Sequence, residues 1–263
     1  MCFVAIAIDS HPTYPFVVAA NRDELYGRDA KVLHFWPAPG RFAAGKDLIG
    51  GGTWLGLSAK GNFAALTNCK SASRSSKPGL KSRGDLIKNF LTEQPELLDS
   101  LRSGSIIERS EYGGFNLIVG TTQALRVFSN ADQSVAAFNT GIRAFSNHPI
   151  TQPWPKTAHG ERQFQEILGD ENKADTLIPR LFEFLGNQKT YEDSDTPEHS
   201  VDLASRIQRT IFIAGETYGT RASTVILVDF SGQAVMTERT FGMLGAPLSE
   251  TSLTFEIEAL QQA

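Results

Sequence analysis

Cysteine is scarce in this sequence, whose 263 residues include two cysteines, Cys2 and Cys69. Two cysteines cannot build a disulfide-dense scaffold, and they lie too far apart to form the CxxC pair typical of zinc sites. Free thiols are typical of a reducing compartment. We therefore expect a cytoplasmic protein that folds around an apolar core, without disulfides and without a metal site.

Long hydrophobic runs and an excess of positive charge are also absent. No run approaches the roughly 18 apolar residues of a membrane helix, and the apolar stretch 2–8 is too short for a signal peptide and has no basic flank. The formal net charge of -4 gives no broad attraction to nucleic acid. These absences argue against a membrane-spanning segment and a nucleic-acid partner, and they leave a small-molecule ligand as the expected partner.

Apolar residues are abundant enough to bury one large core, since 41% of the chain is hydrophobic and 17 residues are phenylalanine. Strand patterns come first and last, with helical patterns between them. Helices are predicted at 83–91, 94–102, 156–168 and 174–186, and strands at 2–8, 15–20, 53–58, 62–68, 115–120, 124–129, 141–146, 210–214, 222–229, 233–240 and 253–258. This order predicts an α+β fold with helices covering two packed sheets, as a single domain over 1–263.

A set of short motifs runs in order along nearly the whole chain. They are Ala20-Asn21-Arg22-Asp23-Glu24, Gly45-Lys46-Asp47, Gly51-Gly52-Thr53-Trp54-Leu55-Gly56, Leu66-Thr67-Asn68, Ser82-Arg83-Gly84, Gly114-Phe115-Asn116-Leu117, Ser146-Asn147-His148, Pro153-Trp154-Pro155-Lys156 and Thr220-Arg221-Ala222-Ser223-Thr224. Through them the sequence resembles the NRDE family, also called the Transport and Golgi Organisation 2 family. That family in turn resembles the N-terminal nucleophile (Ntn) hydrolases, most of all the branch with an N-terminal Cys that cleaves bile-salt amides and penicillin V. The resemblance implies a four-layer αββα sandwich of the Ntn-hydrolase type.

Cys2 becomes the first residue if methionine aminopeptidase removes Met1, as that enzyme does before small residues. A thiolate is a strong nucleophile, but a free thiol is mostly protonated at neutral pH. The α-amine exposed by removal of Met1 has an ordinary pKa of about 8, so it can act as the base for the thiol. The alternative is that Cys2 is a small buried strand residue, and the full motif set favours the chemical role.

Arg22 and Asp23 follow the second predicted strand, which forms a hairpin with the strand that carries Cys2. A guanidinium near a thiol favours the thiolate, and a carboxylate can hold an amine. In the hydrolases resembled, an Arg and an Asp in these roles are separated by two residues, whereas here they are adjacent. Which side chain points into the site therefore stays open. The alternative is a surface ion-pair cluster, which we favour for Glu24.

The resemblance also implies three further site residues: Asn68 and Asn147 as donors to a developing oxyanion, and Arg221 as an arginine that enters the site from a late strand. Each of them alone is also compatible with a cap at a strand end, because Asn is a common turn residue. Trp54, Asn116 and Trp154 are the candidate substrate-pocket residues, and core packing is the alternative for the tryptophans.

A glycine-rich stretch and a basic stretch are less specific indicators of function. The segment 50–52 is all glycine but lacks the Lys-Ser/Thr of a phosphate loop, so close backbone packing explains it better. The basic stretch 69–83 is compatible with an anionic substrate, although such a stretch is more often a solvated loop.

Two functions follow from these residues. The first is hydrolysis of an amide (C–N) bond in a small hydrophobic or anionic substrate, with Cys2 as nucleophile and no cofactor required. The second, implied by the family, is non-catalytic binding and trafficking of haem (or of acyl-CoA or lipid) in the same pocket, with His148 as the candidate haem contact. The sequence does not indicate an oligomeric state.

Overall fold

The computed structural model describes residues 2–38, 40–69, 80–93, 111–169, 173–191 and 207–258. Its helices are α1 (Gly84–Leu91), α2 (Pro155–Gly169) and α3 (Ala174–Leu185). Its strands are β1 (Cys2–Ile8), β2 (Phe16–Leu25), β3 (Ala30–Phe35), β4 (Phe42–Asp47), β5 (Leu55–Ser58), β6 (Asn62–Asn68), β7 (Phe115–Thr121), β8 (Leu125–Ser129), β9 (Ser134–Phe138), β10 (Gly141–Phe145), β11 (Tyr218–Val228), β12 (Gln233–Phe241) and β13 (Pro247–Glu256).

The strands form two antiparallel sheets. The first sheet has the order β10-β1-β2-β11-β12-β13, and the second runs β3-β4-β5-β6-β7-β8-β9 in chain order. The predicted hairpins of β1 with β2, β5 with β6 and β7 with β8 are all present. The central place of β1 and β2 in the first sheet puts the N-terminal part of the chain at the middle of the molecule.

Three apolar layers hold the sheets and helices together. One lies between the two sheets, where Phe16 meets Phe63 edge to face at 5.2 Å. A second lies between the first sheet and helices α2 and α3, and a third between the second sheet and helix α1. The predicted α+β, four-layer αββα arrangement is therefore confirmed.

Strand β1 is buried on both faces, and its side chains alternate between two layers. Val4 and Ile6 belong to the layer between the sheets, whereas Phe3 packs against Phe184 on the helix side, with ring centroids 5.8 Å apart. Cys2 is in phase with Val4, so its side chain faces the space between the two sheets.

The prediction of a strand at 210–214 is wrong. This segment is irregular because its backbone groups bind side chains and the loop at Asn187, and Ile213 makes a single backbone bond to β11 through Thr220. Ile211 accepts a hydrogen bond from the Asn21 side chain at 3.0 Å, and Ile213 donates one to the hydroxyl of Thr220 at 2.9 Å. The predicted helix at 94–102 and most of the basic stretch 69–83 lie outside the described residues.

Strands β3, β4 and β9 were not predicted from the sequence. Strand β9 is exposed at three successive positions, and β4 ends in a glycine and two charged residues, so neither shows the alternation of a half-buried strand. Among the described residues, no helix has the length and apolar character needed to cross a membrane.

Glu238 links the two sheets from inside the protein. Its Oε1 accepts the backbone N–H of Leu33 in β3 at 2.7 Å, and its Oε2 accepts the hydroxyl of Thr224 at 3.4 Å. Burial raises the pKa of Glu238 from 4.5 to about 7, against the opposing effect of these hydrogen bonds. The folded protein therefore holds a proton on Glu238 at mildly acidic pH that the unfolded chain has already lost.

We expect this carboxyl to make the protein less stable as pH rises from 5 to 8, because the folded state binds the proton more tightly than the unfolded state does. The loss through Glu238 alone is about 2 kcal/mol in the free energy of unfolding. Glu238→Gln keeps an oxygen for Leu33 and removes the titration. Urea unfolding at pH 5 and pH 8 should show a smaller loss in the variant, and equal losses would contradict the prediction.

Candidate active site

Cys2 stands at the first position of β1, directly opposite Arg22 of β2 in the antiparallel register. It is buried, with 8% of its surface exposed. Its backbone N–H donates to Asn147 Oδ1 at 2.8 Å, and its carbonyl accepts the hydroxyl of Ser146 at 2.9 Å. The pairing of β1 with β10 ends at Val4 and Phe145. Past that point, Ser146 and Asn147, which follow β10, hold the backbone carbonyl and N–H of Cys2.

A cavity of about 140 Å³ lies against Cys2, between the ends of the two sheets and the start of α1. Charged side chains dominate its wall, with three arginines and three acids. Its lining consists of Cys2, Arg22, Asp23, Glu24, Arg28, Asp47, Thr53, Trp54, Leu66, Asn68, Ser82, Arg83 and Gly84. Cys2, Arg22, Asp23, Asn68 and Trp54, which the sequence analysis selected, thus share one cavity.

Electrostatics at Cys2 work in both directions. Burial raises the pKa of the Cys2 thiol, and the Asp23 carboxylate acts the same way. The Arg22 guanidinium and a hydrogen bond from the backbone N–H of Asp23 lower that pKa in part. Because the net pKa is raised, the thiol stays protonated at neutral pH, and its use as a nucleophile requires a nearby base.

The orientation of Arg22 and Asp23, which the sequence left open, follows from strand alternation. Arg22 is in phase with Ala20 and Val18, both of which line the layer between the sheets. Its guanidinium binds Asp47 Oδ2 at 3.2 Å and lies 4.4 Å from the centroid of the Trp54 ring. Arg22 therefore points toward the space that the Cys2 side chain faces, and the adjacent Asp23 points to the helix side of the sheet.

The Asp23 carboxylate is held on the helix side of the first sheet. Its Oδ1 accepts the hydroxyl of Thr220 at 2.7 Å, and 1% of the residue is exposed. Burial raises the pKa of Asp23, while the Lys156 ammonium, Thr220 and Arg22 act to lower it. Lys156, which was not among the predicted site residues, is thus part of the electrostatic surroundings of the site.

Asp47 anchors the arginines on the opposite wall. Its Oδ2 accepts Arg28 Nε at 2.7 Å in addition to Arg22, and its Oδ1 accepts the backbone N–H of Gly50 at 2.8 Å. Burial alone would raise the pKa of Asp47, but the hydrogen bonds from Arg28 and Gly50 lower it below its ordinary value. Asp47 is therefore ionised at neutral pH and holds Arg22 beside Cys2.

Asn147 bridges the two sheets at the site. While its Oδ1 accepts the Cys2 N–H, its Nδ2 donates to the carbonyl of Asn68 at the end of β6. Asn116 supports the same segment, because its Nδ2 donates to Ser146 and His148 carbonyls at 3.0 and 2.8 Å. In this arrangement Asn147 positions Cys2 and Asn116 holds the chain behind it. Donation by Asn147 to an oxyanion stays a prediction.

Arg221 is engaged away from the cavity. It is the extra residue of a bulge in β11 opposite β2, and its Nη1 donates to the carbonyls of Leu25, Tyr26 and Arg28 at 3.0, 2.7 and 3.3 Å. The residues that line the Cys2 cavity do not include it. Its contacts fix the turn that carries Arg28, so its effect on the site in this structure is indirect.

Trp154 and His148 lie beside each other behind the site, with ring centroids 5.2 Å apart. His148 Nδ1 lies 2.8 Å from the carbonyl of Pro149, and burial lowers the pKa of the imidazole. Trp154 in turn lies under the ammonium of Lys156, 5.7 Å from the ring centroid. Neither aromatic residue lines the Cys2 cavity, whereas Trp54 does.

The motifs that surround this site match a known family. The sequence profile of the family described as Transport and Golgi organisation 2 matches residues 1–243. The chain belongs to this family. A Bos taurus protein, "Transport and Golgi organization protein 2 homolog", is 32% identical over 269 residues, covering 94% of each chain. The Mus musculus "Transport and Golgi organization 2 homolog" is 30% identical over 259 residues, covering 91% of this chain and 92% of that protein.

The fold is also similar to that of a solved structure outside the family. Penicillin V acylase from Agrobacterium tumefaciens aligns with a TM-score of 0.52 at 11% identity, covering 99% of this chain and 88% of that chain. At this identity the likeness shows the fold, which is that of the Ntn hydrolases, and leaves the reaction to be argued from the site.

Sequence reasoning missed Asp47, Arg28, Arg83 and Lys156 as parts of the site. Asp47, Arg83 and Lys156 lie within motifs that carry the family resemblance, and only their side-chain directions were unknown. For Lys156 a signal existed: it lies four residues before Gly160 on the face of α2 that is buried against the first sheet. A lysine on the apolar stripe of a helix is unusual and marks a buried charge.

Gly52 explains the glycine-rich segment as close backbone packing. A Cβ at Gly52 would lie 2.6 Å from the carbonyl oxygen of Gly84, at the start of α1 and on the cavity wall. We expect Gly52→Ala to lower the free energy of unfolding by about 1–3 kcal/mol, because the rigid helix start must shift. Gly27→Ala is the matched control, since nothing lies within 4 Å of that position. Thermal unfolding of both variants checks the prediction, and equal stabilities would contradict it.

Proposed function

We propose that this chain is a Cys-type N-terminal nucleophile amidohydrolase that acts in the cytoplasm on an amide bond of a small hydrophobic or anionic substrate. The observation that carries the proposal is the setting of Cys2. Its nitrogen is held by Asn147 at 2.8 Å, its register partner is Arg22, and its neighbourhood opens into a charged cavity. The Ntn-hydrolase fold, shared with a protein named as an acylase, supports the same reaction class.

The reaction begins with removal of Met1, which turns the nitrogen of Cys2 into an α-amine. That amine accepts the thiol proton, and the sulfur attacks the carbonyl carbon of the substrate. The C–N bond then breaks, the proton passes from the α-amine to the leaving nitrogen, and an acyl group stays on sulfur as a thioester. Attack by water, deprotonated by the same amine, releases the carboxylic acid and restores the thiol.

The cavity supplies the remaining parts of the mechanism. Arg22 lies opposite Cys2 and favours the thiolate over the thiol. Asn68 lines the cavity at the end of β6, where an amide N–H can donate to the oxyanion. At about 140 Å³ the cavity receives the reacting amide and a few atoms around it. Arg22 and Arg28 are bound to Asp47, whereas Arg83 donates to the Gly114 carbonyl at 3.0 Å and favours a substrate with an anionic group near the scissile bond.

Haem binding through His148, the other function implied by the family resemblance, stays a prediction. Under it, the same pocket would bind haem, acyl-CoA or lipid for trafficking without turnover. Absorbance titration of the purified protein with haem measures this directly, because ligation by His148 shifts the Soret band and His148→Ala abolishes that shift.

The proposed function is tested by mass spectrometry of the purified full-length protein. Intact mass gives the state of Met1. Treatment with iodoacetamide, followed by peptide mapping, gives the rates of alkylation at Cys2 and Cys69 separately. We expect a chain that has lost Met1 and a Cys2 that reacts at least about tenfold faster than Cys69. Release of primary amine from a panel of short N-acyl amino acids then identifies the substrate class.

Two results would refute the proposal. One is a native chain that retains Met1, because its Cys2 has no α-amine to act as base. The other is a processed chain whose Cys2 is no more reactive than Cys69, which is also buried.

A further inference from the structure

Lys156 is a fully buried lysine at the start of α2. Its exposed fraction is 0%, and its Nζ lies 3.4 Å from the carbonyl oxygen of Thr210. Surface lysines keep the ammonium in water and bury the aliphatic stem alone. Here stem and ammonium are both inside, between α2 and the first sheet, and such a charge is retained only where an opposite charge compensates it.

The compensating charge is Asp23. Both side chains lie on the helix side of the first sheet, and each is almost fully buried. Burial lowers the pKa of Lys156 and raises that of Asp23, and the attraction between the two charges opposes both shifts. Arg22 does not replace Lys156 in this role, because its guanidinium is bound to Asp47 on the other side of the sheet.

The segment 210–213 ties the two residues together. Thr210 accepts the Lys156 ammonium, and Ile213 donates its N–H to the hydroxyl of Thr220, which itself donates to Asp23. The same segment accepts a hydrogen bond from Asn21 at Ile211. Because 210–214 is irregular, this one stretch of backbone can contact Lys156 directly, through Thr210, and Asp23 indirectly, through the Thr220 hydroxyl.

We propose that Lys156 is the buried counter-charge of Asp23 and thereby keeps the α-amine of processed Cys2 in its neutral form, able to accept a proton. This inference deepens the proposed function and rests on it. One carboxylate that already neutralises the Lys156 ammonium cannot fully stabilise a second cation on the Cys2 nitrogen. Without Lys156, Asp23 would bind the α-ammonium alone and would hold a proton on the base at neutral pH.

Several other charged or titratable groups also act at this site. From β2 the Arg22 guanidinium acts on Cys2 and Asp23, and from the start of α1 Arg83 interacts with Cys2. Tyr218 of β11 interacts with Cys2 and Asp23, and burial raises its pKa out of the physiological range. Burial lowers the pKa of His148, and the Lys156 ammonium lowers it further, so the imidazole is neutral at pH 7. Among these groups, Lys156 is the cation on the same face as Asp23.

The two cysteines of the sequence make a direct test feasible. Selective ¹³C labelling of cysteine gives one set of signals each for Cys2 and Cys69, and Cys69→Ser assigns them. The ¹³Cα shift of Cys2 against pH reports protonation of the amine, and the ¹³Cβ shift reports the thiol. We expect Lys156→Met to raise the amine pKa, strengthening proton binding by about tenfold or more. Lys156→Arg, which keeps the charge, should preserve the value of the natural protein.

The variant D23N/K156M separates charge compensation from a structural role. With the carboxylate removed, the amine pKa should fall back to or below that of the natural protein, although Lys156 is missing. This variant also replaces a buried ion pair by neutral groups of similar volume, which proteins often tolerate. If K156M does not fold, Lys156→Gln supplies the test, since its side-chain amide can still donate to the Thr210 carbonyl while loss of the ammonium should again raise the amine pKa.

An unchanged amine pKa in the folded Lys156 variant, K156M or K156Q, would overturn the inference and leave the proposed function standing. Retention of Met1 in the natural protein would remove the amine signal altogether and would overturn the proposed function, and this inference with it. A raised amine pKa in K156M that persists in D23N/K156M would also overturn it, because the effect would then not pass through Asp23.

Discussion

Cys2→Ala is expected to abolish amide hydrolysis, with a fall of at least about four orders of magnitude in kcat/KM. The thiol forms the bond to the substrate, and the described lining offers no second thiol to replace it: its other polar side chains are three arginines, three acids, one amide and two hydroxyls, together with the Trp54 indole. The fold should survive, since the change removes one sulfur atom at the start of β1 at a cost of about 1 kcal/mol. Amine release from the substrate that the natural protein cleaves measures the effect.

Cys2→Ser and Cys69→Ala are the matched controls for this prediction. Serine keeps the size of the side chain and permits removal of Met1, but its hydroxyl is a much weaker nucleophile than a thiolate. We therefore expect Cys2→Ser to lose at least about a hundredfold in kcat. Cys69 follows β6 and lies outside the cavity lining, so Cys69→Ala should keep its activity within a few fold. Full activity of Cys2→Ala would exclude the proposed mechanism.

The hairpins of β1 with β2, β5 with β6 and β7 with β8 could be predicted from the sequence because each consists of two apolar runs joined by a turn. The order of strands in the sheets could not. Pairing of β1 with β10, and of β2 with β11, joins segments about 140 and 200 residues apart, and no local pattern specifies such partners. Since the first of these pairings brings Asn147 to Cys2, the resemblance to the family was needed to name Asn147 at all.

The polar end of β2 shows why side-chain direction was harder to predict than site membership. The apolar run stops at Ala20, so the predicted strand ended there, but the strand continues to Leu25. Asn21, Arg22 and Asp23 are all buried, because specific partners satisfy them in place of water. Once the strand is known to continue, alternation alone assigns the Arg22 side chain to the space between the two sheets and the Asp23 side chain to the helix side.

Lys156 shows the limit of reading burial from residue type. Lysine is almost never fully buried without a partner, so a sequence-based argument assigns it to the surface by default. Its partner, Asp23, is 133 positions away in the sequence and was itself uncertain in direction. The burial of these two charges becomes predictable only for both at once, when α2 is known to pack against the face of the first sheet to which Asp23 points.

Asn147→Ala is expected to damage both stability and activity. The side chain is fully buried, and its loss leaves the Cys2 nitrogen without its acceptor and the Asn68 carbonyl without its donor. Each unsatisfied buried group costs about 1–3 kcal/mol, so we expect a fall of about 3 kcal/mol in the free energy of unfolding. Because the amine then loses its fixed position beside the thiol, kcat should fall by about a hundredfold or more. Urea unfolding and amine release measure the two effects.

Asn147→Asp and Asn139→Ala make this prediction specific to the site. Asn139 is exposed and comes just before Gly141, which pairs with Ile8 at the opposite end of β1 from Cys2, so its replacement should change neither stability nor kcat. The Asn147→Asp carboxylate still accepts a hydrogen bond from the Cys2 nitrogen, but its negative charge favours the protonated amine and raises the amine pKa. Its kcat should therefore be low at pH 7 and recover as pH rises toward 9, whereas Asn147→Ala should stay low at both. Equal pH profiles for the two variants would mean that Asn147 acts on the oxyanion and does not position the base.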